Sequence, residues 1–240
     1  MIDRTKPKIR CSGLGNIMTQ PKTKKAKENG ELSQTAIQYL IEVEIKQRTG
    51  REKEIITKHM EKGIEMEEDS ITMLSQVRKS FFRKNEEVFE NEYIKGTPDI
   101  ITEDRVRDIK TSWDIFSFPH PWKYEMSKLH YWQLMGYMWL TDRERASLDF
   151  VLIDTPDHII EREIGYQIRQ AGVDIRGEAT PWDYEEFAET VKRKLTYGDL
   201  PIEKRVYSVE IERCDEDIEQ IKEQVEKAWN FWEQNIGVVR

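Results

Sequence analysis

Cysteine, histidine and long apolar runs are all scarce in this chain. Two cysteines, Cys11 and Cys214, stand among 240 residues, too few for a disulfide framework and without CxxC spacing. The four histidines, His59, His120, His130 and His158, are scattered, so neither a zinc site nor an iron–sulfur cluster is expected. No apolar stretch approaches the roughly 18 residues that span a bilayer, so no membrane partner is expected. The first residues are polar and basic, unlike a secretory leader, and a reducing, cytoplasmic home is the expectation.

Charge is abundant. Charged residues make up 35% of the chain and hydrophobic ones 38%, which reads as a globular protein long enough to bury a real core in one domain. The net charge of −8 argues against a polyanionic partner until its distribution is considered. Residues 1–30 hold eight basic side chains against Asp3 and Glu28, a surplus of +6, and the rest of the chain sums to −14. A basic arm on an acidic body suits a localised polyanion contact, and a solvated tail equally well. The expected division is an arm over 1–30 and a single domain over 31–240.

Hydrophobic periodicity outlines an α/β fold. The spacing predicts a helix over 33–47, capped by Ser33, with Ile37, Leu40, Ile41 and Ile45 on one face. Residues 9–18 begin an ordered region and 21–25 read as a loop. A helix over 52–78 is expected to break or kink near Gly63. Residues 86–94, 99–101 and 105–111 read as strands around the turn-prone Lys95-Gly96-Thr97-Pro98. A helix over 123–141 follows, then strands over 147–153 and 205–212. Helices over 182–195, capped by Asp183, and 215–235 complete the pattern. Strands enclosed by helices predict a mixed central sheet flanked by helices.

The chemistry concentrates in Gly96-Thr97-Pro98-Asp99-Ile100 and Arg107-Asp108-Ile109-Lys110-Thr111. Residues i and i+2 of a strand share a face, so Asp108 and Lys110 point the same way while Ile109 turns to the core. A turn between strands can bring Asp99 beside them. Two carboxylates and a carbonyl oxygen make a hard-oxygen site suited to Mg²⁺ or Mn²⁺, and a lysine beside it can orient or deprotonate water. Phosphodiester hydrolysis needs that combination. The fragment alone is equally compatible with an exposed Asp108–Lys110 pair on a hairpin, worth under ~1 kcal/mol.

Further features bear on the choice. Glu67 lies one helical turn after Gly63, a glycine that would let the helix pack closely while the glutamate reaches the ions; an acidic helix face is the alternative. Gln133 and Tyr137 stand at i and i+4 among Trp132, Met135 and Trp139, facing either the site or the core. The arm offers Arg10, Ser12 and Lys22 for phosphate contact.

Taken together, Gly63…Glu67, Thr97-Pro98-Asp99, Asp108-Ile-Lys110 and Gln133-Leu-Met-Gly-Tyr137 resemble the phage lambda exonuclease and YqaJ-type recombination nucleases of the PD-(D/E)XK superfamily. Ile9-Arg-Cys-Ser12, Asn16-Ile-Met, Pro21-Lys22 and Val209-Glu-Ile-Glu-Arg213 extend the resemblance over roughly residues 9–230. It implies a restriction-endonuclease-like core in which Glu67, Asp99, Asp108 and the Ile109 carbonyl hold two Mg²⁺ ions, Lys110 activates water and Gln133 supports the site. It also implies that Ser12 and Thr97 hold a 5′-phosphate, that Lys22 enters the DNA groove and that Met60 is the wedge at the terminal base pair. The family's phosphate-binding arginine has no single counterpart: Arg4 and Arg10 are both near its place. Asp108 stands where lambda exonuclease has glutamate.

The resemblance implies a processive 5′-to-3′ exonuclease on double-stranded DNA ends, closing as a ring trimer and working beside a single-strand annealing protein, in the host cytoplasm if phage-encoded. A restriction or structure-specific endonuclease shares the same chemistry. A DNA-binding module without catalysis is the third reading, in which the acidic residues are a solvated face.

Overall fold

The computed structural model describes residues 6–53, 56–170 and 184–237. Arg4 and the expected cap Asp183 lie outside the described residues. Strand β1 (Ile9–Arg10) runs into helix α1 (Cys11–Ile17), followed by the short α2 (Lys24–Glu28) and the long α3 (Gln34–Thr49). Next come α4 (Lys58–Glu65), α5 (Glu67–Arg78) and strands β2 (Phe89–Glu90), β3 (Ile94–Gly96), β4 (Ile100–Ile101) and β5 (Val106–Thr111). Helix α6 (Lys128–Thr141), β6 (Arg145–Val151), α7 (Asp157–Gln170), α8 (Tyr184–Leu195), β7 (Val206–Glu212) and α9 (Asp215–Phe231) complete the order.

The strands form two mixed sheets, a small one of three short strands and the expected central one. In the first, β3 pairs in parallel with β1 and antiparallel with β2. The second has the order β4-β5-β6-β7, with β5 and β6 parallel and the outer pairs antiparallel. Thr97-Pro98-Asp99 separates β3 from β4, and Pro98 has no N–H to continue a ladder. Asn85 secures this junction: its backbone N–H donates to the Asp99 carbonyl at 2.7 Å and its side-chain amide to the Pro98 carbonyl at 3.0 Å. Asp99 therefore stands where one sheet gives way to the other.

Local chemistry explains most departures from the expected boundaries. The strand expected over 86–94 is split because the Asn91 side-chain oxygen accepts the N–H groups of Tyr93 and Ile94, each at 2.9 Å, making a turn. The helix expected from 52 begins only after Thr57, whose hydroxyl caps Met60 N–H at 3.3 Å. It breaks at Met66 (φ −97, ψ 12), not at Gly63. A Cβ at Gly63 would meet nothing within 4 Å, so close packing on a sheet is not what a glycine does there. The stretch 21–25, expected as a loop, turns into α2 because Thr23 caps Ala26 N–H at 3.2 Å. Helix α6 starts at Lys128, capped by Ser127. Ser33 caps α3 as expected, but the buried stripe ends at Leu40 and Ile45 is 47% exposed. Helix α7 occupies a stretch with no sequence assignment.

The main core lies between the sheets and α1, α3, α6 and α9, through Leu14, Leu40, Leu134, Met138, Leu148 and Trp229. Ile9, Cys11, Leu14 and Ile17 are completely buried, so this part of the basic N-terminal segment is a structural element. Helix α1 crosses α6 closely: a Cβ on Gly15 would stand 2.6 Å from the Leu129 Cα. A second cluster packs α5 on the opposite face of β5 and β6, through Ile71, Leu74, Ile109 and Val151. A third joins Trp113 to α7 and α8. Among the described residues no helix is long and apolar enough to cross a membrane.

Candidate active site

Strand β5 alternates as its period demands. Val106 and Asp108 are turned to the α6 side, while Ile109 joins the α5 cluster. The Lys110 ammonium lies 2.7 Å from Asp108 Oδ2. Asp99 reaches the same strand from the junction, its Oδ2 accepting the Ile109 N–H at 2.6 Å. From α6, Gln133 Nε2 donates to Asp108 Oδ1 at 2.9 Å and to the Tyr137 hydroxyl at 3.0 Å. The fold thus brings four of the expected side chains, Asp99, Asp108, Lys110 and Gln133, to one place, and Tyr137 with them.

Their electrostatics are unbalanced. Burial and the neighbouring Asp108 charge push the Asp99 carboxyl up to about 7, against the opposing Ile109 N–H and Lys110. Burial pulls Lys110 down, yet the charge of Asp108 at contact distance, with Asp99 and Glu67, more than offsets it. Lys110 therefore stays an ammonium above the ordinary lysine range. Burial and the Asp108 charge raise the Tyr137 phenol, keeping it protonated. Asp108 is 2% exposed, and its Oδ2 takes no well-formed hydrogen bond despite the nearness of Lys110.

Glu67 stands at the first turn of α5, close enough for its charge to act on Asp99 and Lys110, but its Oε1 is 3.3 Å from Lys84 Nζ. The buried Lys62 helps set this helix pair, donating to the Trp113 carbonyl at 2.9 Å three residues beyond Lys110. Among the described residues no three His, Cys, Asp or Glu side chains converge as they stand to hold an ion. Asp99 and Asp108 do converge, and their mutual repulsion is what an added cation relieves.

The remaining residues spread outward. Ser12, exposed in the first turn of α1, and the half-buried Thr97 each follow a residue in tight contact: a Cβ on Gly96 would stand 2.8 Å from Cys11 Sγ. Arg10 is exposed and ion-paired with Glu52 at 3.2 Å. Lys22 is exposed just before α2. Met60, half exposed on α4, is not held in any core cluster. Three neighbours of the site went unread: Asn85, Lys84 and His130. His130 precedes Gln133 by three, which places it on the same helical face. Its Nδ1 is buried without a hydrogen-bond partner, and burial together with Lys110 lowers its pKa. Its spacing from Gln133 could have revealed it; Asn85 and Lys84 carry no such local signal.

A mixed sheet flanked by helices, with two carboxylates and a lysine at the sheet junction, is a restriction-endonuclease-like nuclease fold. The chain matches the crystal structure of a phage-related exonuclease from Haemophilus somnus 129PT at 31% identity and a TM-score of 0.75, over 97% of this chain and 96% of that one. It belongs to that family, the phage-type exonucleases related to lambda exonuclease. The alkaline exonuclease LHK-Exo from Laribacter hongkongensis, solved also in complex with dAMP, shares the fold at 14% identity and a TM-score of 0.59, over 96% of this chain and 90% of that one. No family model and no curated protein matches the chain.

Proposed function

We propose that the protein is a divalent-metal-dependent exonuclease that degrades double-stranded DNA from a 5′ end in phage-type recombination. The observation that carries this reading is the convergence of Asp99, Asp108, Lys110 and Gln133 at the sheet junction, in a chain of the phage-type exonuclease family.

The donor set fits a hard divalent ion. Two carboxylates share a buried place, one oxygen of Asp108 lacks a hydrogen bond, and a strand residue turns its N–H and C=O to the same edge, so the Ile109 carbonyl faces Asp99. Asp99, Asp108 and that carbonyl would hold Mg²⁺, or Mn²⁺ in its place. Glu67 would join them on leaving Lys84. When bound, the ion lowers the pKa of water and offsets charge on the scissile phosphate.

The chain's own residues do the rest. Lys110 is an ammonium, so its role is to donate a hydrogen bond to the attacking water and to the phosphate oxygens as charge builds there; deprotonating the water is disfavoured by the same carboxylates that raise it. Gln133 fixes Asp108 through Oδ1, and Oδ2, which is ion-paired with Lys110, would be shared with the ion. Ser12 and Thr97 would hold the terminal 5′-phosphate, with Arg10 or Arg4 beside them, Lys22 in the groove of the DNA and Met60 against the terminal pair. Water adds to phosphorus, the P–O3′ bond breaks, and the released nucleotide carries its own 5′-phosphate and a 3′-hydroxyl. The shortened strand is left with a new 5′-phosphate, so each cut recreates the group that Ser12 and Thr97 recognise. That chemistry suits processive digestion, and a ring trimer around the DNA, in the cytoplasm and beside an annealing protein, would sustain it.

The test uses end-labelled duplexes bearing 5′-phosphate or 5′-hydroxyl, with and without Mg²⁺. The expected result is Mg²⁺-dependent release of mononucleotides, faster from the phosphorylated end, with a covalently closed circle left intact. Cutting of the circle would instead make the protein an endonuclease. DNA loss persisting in Asp99→Ala protein free of contaminating nuclease would show that the site is elsewhere.

A further inference from the structure

A groove of about 570 Å³ opens beside α3, lined by six basic side chains, Lys8, Arg10, Lys46, Arg51, Lys53 and Lys95, against two acidic ones, Glu42 and Glu52. This local surplus of four positive charges stands on a chain whose net charge is −8. Its position follows from the first sheet. Arg10 and Lys95 are register partners on β1 and β3, and each stands two residues before one of the hydroxyl residues, Ser12 and Thr97, of the proposed 5′-phosphate site. The groove is therefore next to that site, joined to it along β1 and β3.

One acidic side chain occupies the groove in an informative way. Glu52 is held by two cations, one on each oxygen: Arg10 Nη1 is 3.2 Å from Oε1, and Lys46 Nζ pairs with Oε2. Two cations on the two oxygens of a carboxylate reproduce how cations clamp the two non-bridging oxygens of a phosphodiester. Arg51, Lys53 and Lys95 are exposed, and among the described residues none makes an ion pair. They flank this clamp with charge that Glu52 does not neutralise.

We infer that this groove extends the proposed 5′-phosphate site as a phosphate-backbone track for DNA, with Arg10 at the join, in which the Glu52 carboxylate stands between Arg10 and Lys46 in the free protein and a DNA phosphate takes its place in the complex. The inference rests on the exonuclease reading for the identity of the polyanion. The groove reads no bases, since its cations meet phosphate oxygens, which carry no sequence information. Glu52 makes the free groove less attractive to other anions and sets a competition that DNA wins by bringing several phosphates at once.

The experiment measures DNA affinity by fluorescence anisotropy across a salt series, in the full chain carrying Lys110→Ala to prevent digestion, on duplexes ending in 5′-phosphate or 5′-hydroxyl. The Arg51→Ala/Lys53→Ala/Lys95→Ala variant is expected to reduce the slope of log K against log salt by about 3, near 0.9 per lost phosphate contact. Its affinity falls about 10²–10³-fold at 0.1 M salt, equally on both duplexes. Glu52→Gln, an exposed change that leaves the fold intact, raises affinity severalfold on both. An unchanged slope in the triple variant with an unchanged melting temperature overturns the inference, as does weaker binding by Glu52→Gln. Loss of binding to vesicles of anionic phospholipid with DNA binding intact overturns it in favour of a membrane surface. Failure of the exonuclease reading shows separately, as absence of cleavage in the wild-type chain, and does not alter these slopes.

Discussion

Strand β5 carries two buried charge pairs on its two faces, and they are built to opposite ends. On the α5 face, Arg107 Nη1 donates to Asp149 Oδ2 at 2.9 Å and to Ser147 Oγ at 3.0 Å. Ser147 and Ser208 hydroxyls donate to the two oxygens of Asp149, Arg78 reaches Ser208, and the Arg107 guanidinium lies 4.8 Å over the Phe82 ring. Asp149 is completely buried with both oxygens taken and one cation to match its charge. On the α6 face, Lys110 serves two carboxylates, and burial together with the surplus negative charge drives Asp99 up to about 7. A closed pair is a structural element. An open one, short of positive charge, is the arrangement that the proposed reaction, with its cation and phosphate, would use.

Breaking each pair at one partner gives the largest contrast. Lys110→Ala removes the only lysine on the open pair and is expected to cut DNA hydrolysis about 10³-fold, the scale of losing one charge-stabilising donor. Release of acid-soluble nucleotide measures it, and a variant keeping a tenth of wild-type activity would remove Lys110 from the chemistry. Asp149→Ala leaves Arg107 buried without its counter-charge and is expected to cost about 3–5 kcal/mol of stability. Urea unfolding reads that loss. The folded fraction of the variant keeps its rate, because Asp149 faces away from Asp99. If unfolding is unmoved, the α5-face pair is not the structural element argued here.

The third comparison uses pH, and its sign follows from the direction of the Asp99 shift. Its folded-state value of about 7 lies above the roughly 3.9 of an unfolded aspartate. Between those values the native protein holds a proton that the unfolded chain has released. Metal-free stability therefore falls as pH rises from about 4 to about 7, and the penalty is complete above that. Asp99→Asn keeps an acceptor for the Ile109 N–H and cannot ionise. It is expected to unfold later than wild type at pH 8, by about 1–3 kcal/mol, and to match it near pH 4. Thermal melts in EDTA at both values test this; equal melts at pH 8 would mean that neither burial nor the Asp108 charge disfavours the Asp99 carboxylate. A divalent ion should reverse the order at pH 8, since wild type gains stability on binding it.

What was legible in the sequence was what depends on neighbours along the chain. The period of two along Arg107–Lys110 sorts Asp108 and Lys110 from Ile109, and the i, i+4 spacing of Gln133 and Tyr137 puts them on one helical face. The proline before Asp99 marks a break, though not that it divides two sheets. What depended on distant partners was not legible. The burial of Ile9 requires β1 to pair with β3, some eighty residues away in sequence. The Lys84–Glu67 pair and the Asn85 contact with Asp99 need the loop after α5 to fold back. Gly63 does not pack α4 closely on a sheet, because a glycine's role depends on what lies opposite, and here nothing does. Helix α7, by contrast, buries Ile160, Ile164 and Ile168 at regular i, i+4 spacing, a signal present in the sequence and passed over.

The smallest expected effect separates positioning from packing. Gln133 on the open side and Ser147 on the closed side each hydrogen-bond one buried aspartate, and each change to alanine is expected to cost about 1 kcal/mol in stability. Their effects on activity should differ. Without Gln133, the Asp108 carboxylate loses the contact that fixes Oδ1 and can rotate between Lys110 and the substrate, so hydrolysis is expected to fall about tenfold, as when an outer partner of a ligand is lost. The fall belongs in kcat rather than KM, because the amide orients a carboxylate and binds no DNA. Gln133→Glu sharpens the point: it keeps the length but places a third carboxylate beside Asp108, so it should be slower than alanine below saturating Mg²⁺. Ser147→Ala should leave kcat where it was, because Arg107 and Ser208 still hold Asp149. Equal losses of kcat in Gln133→Ala and Ser147→Ala would mean that the two faces of β5 are one coupled unit, and that the imbalance on the α6 side has no separate chemical role.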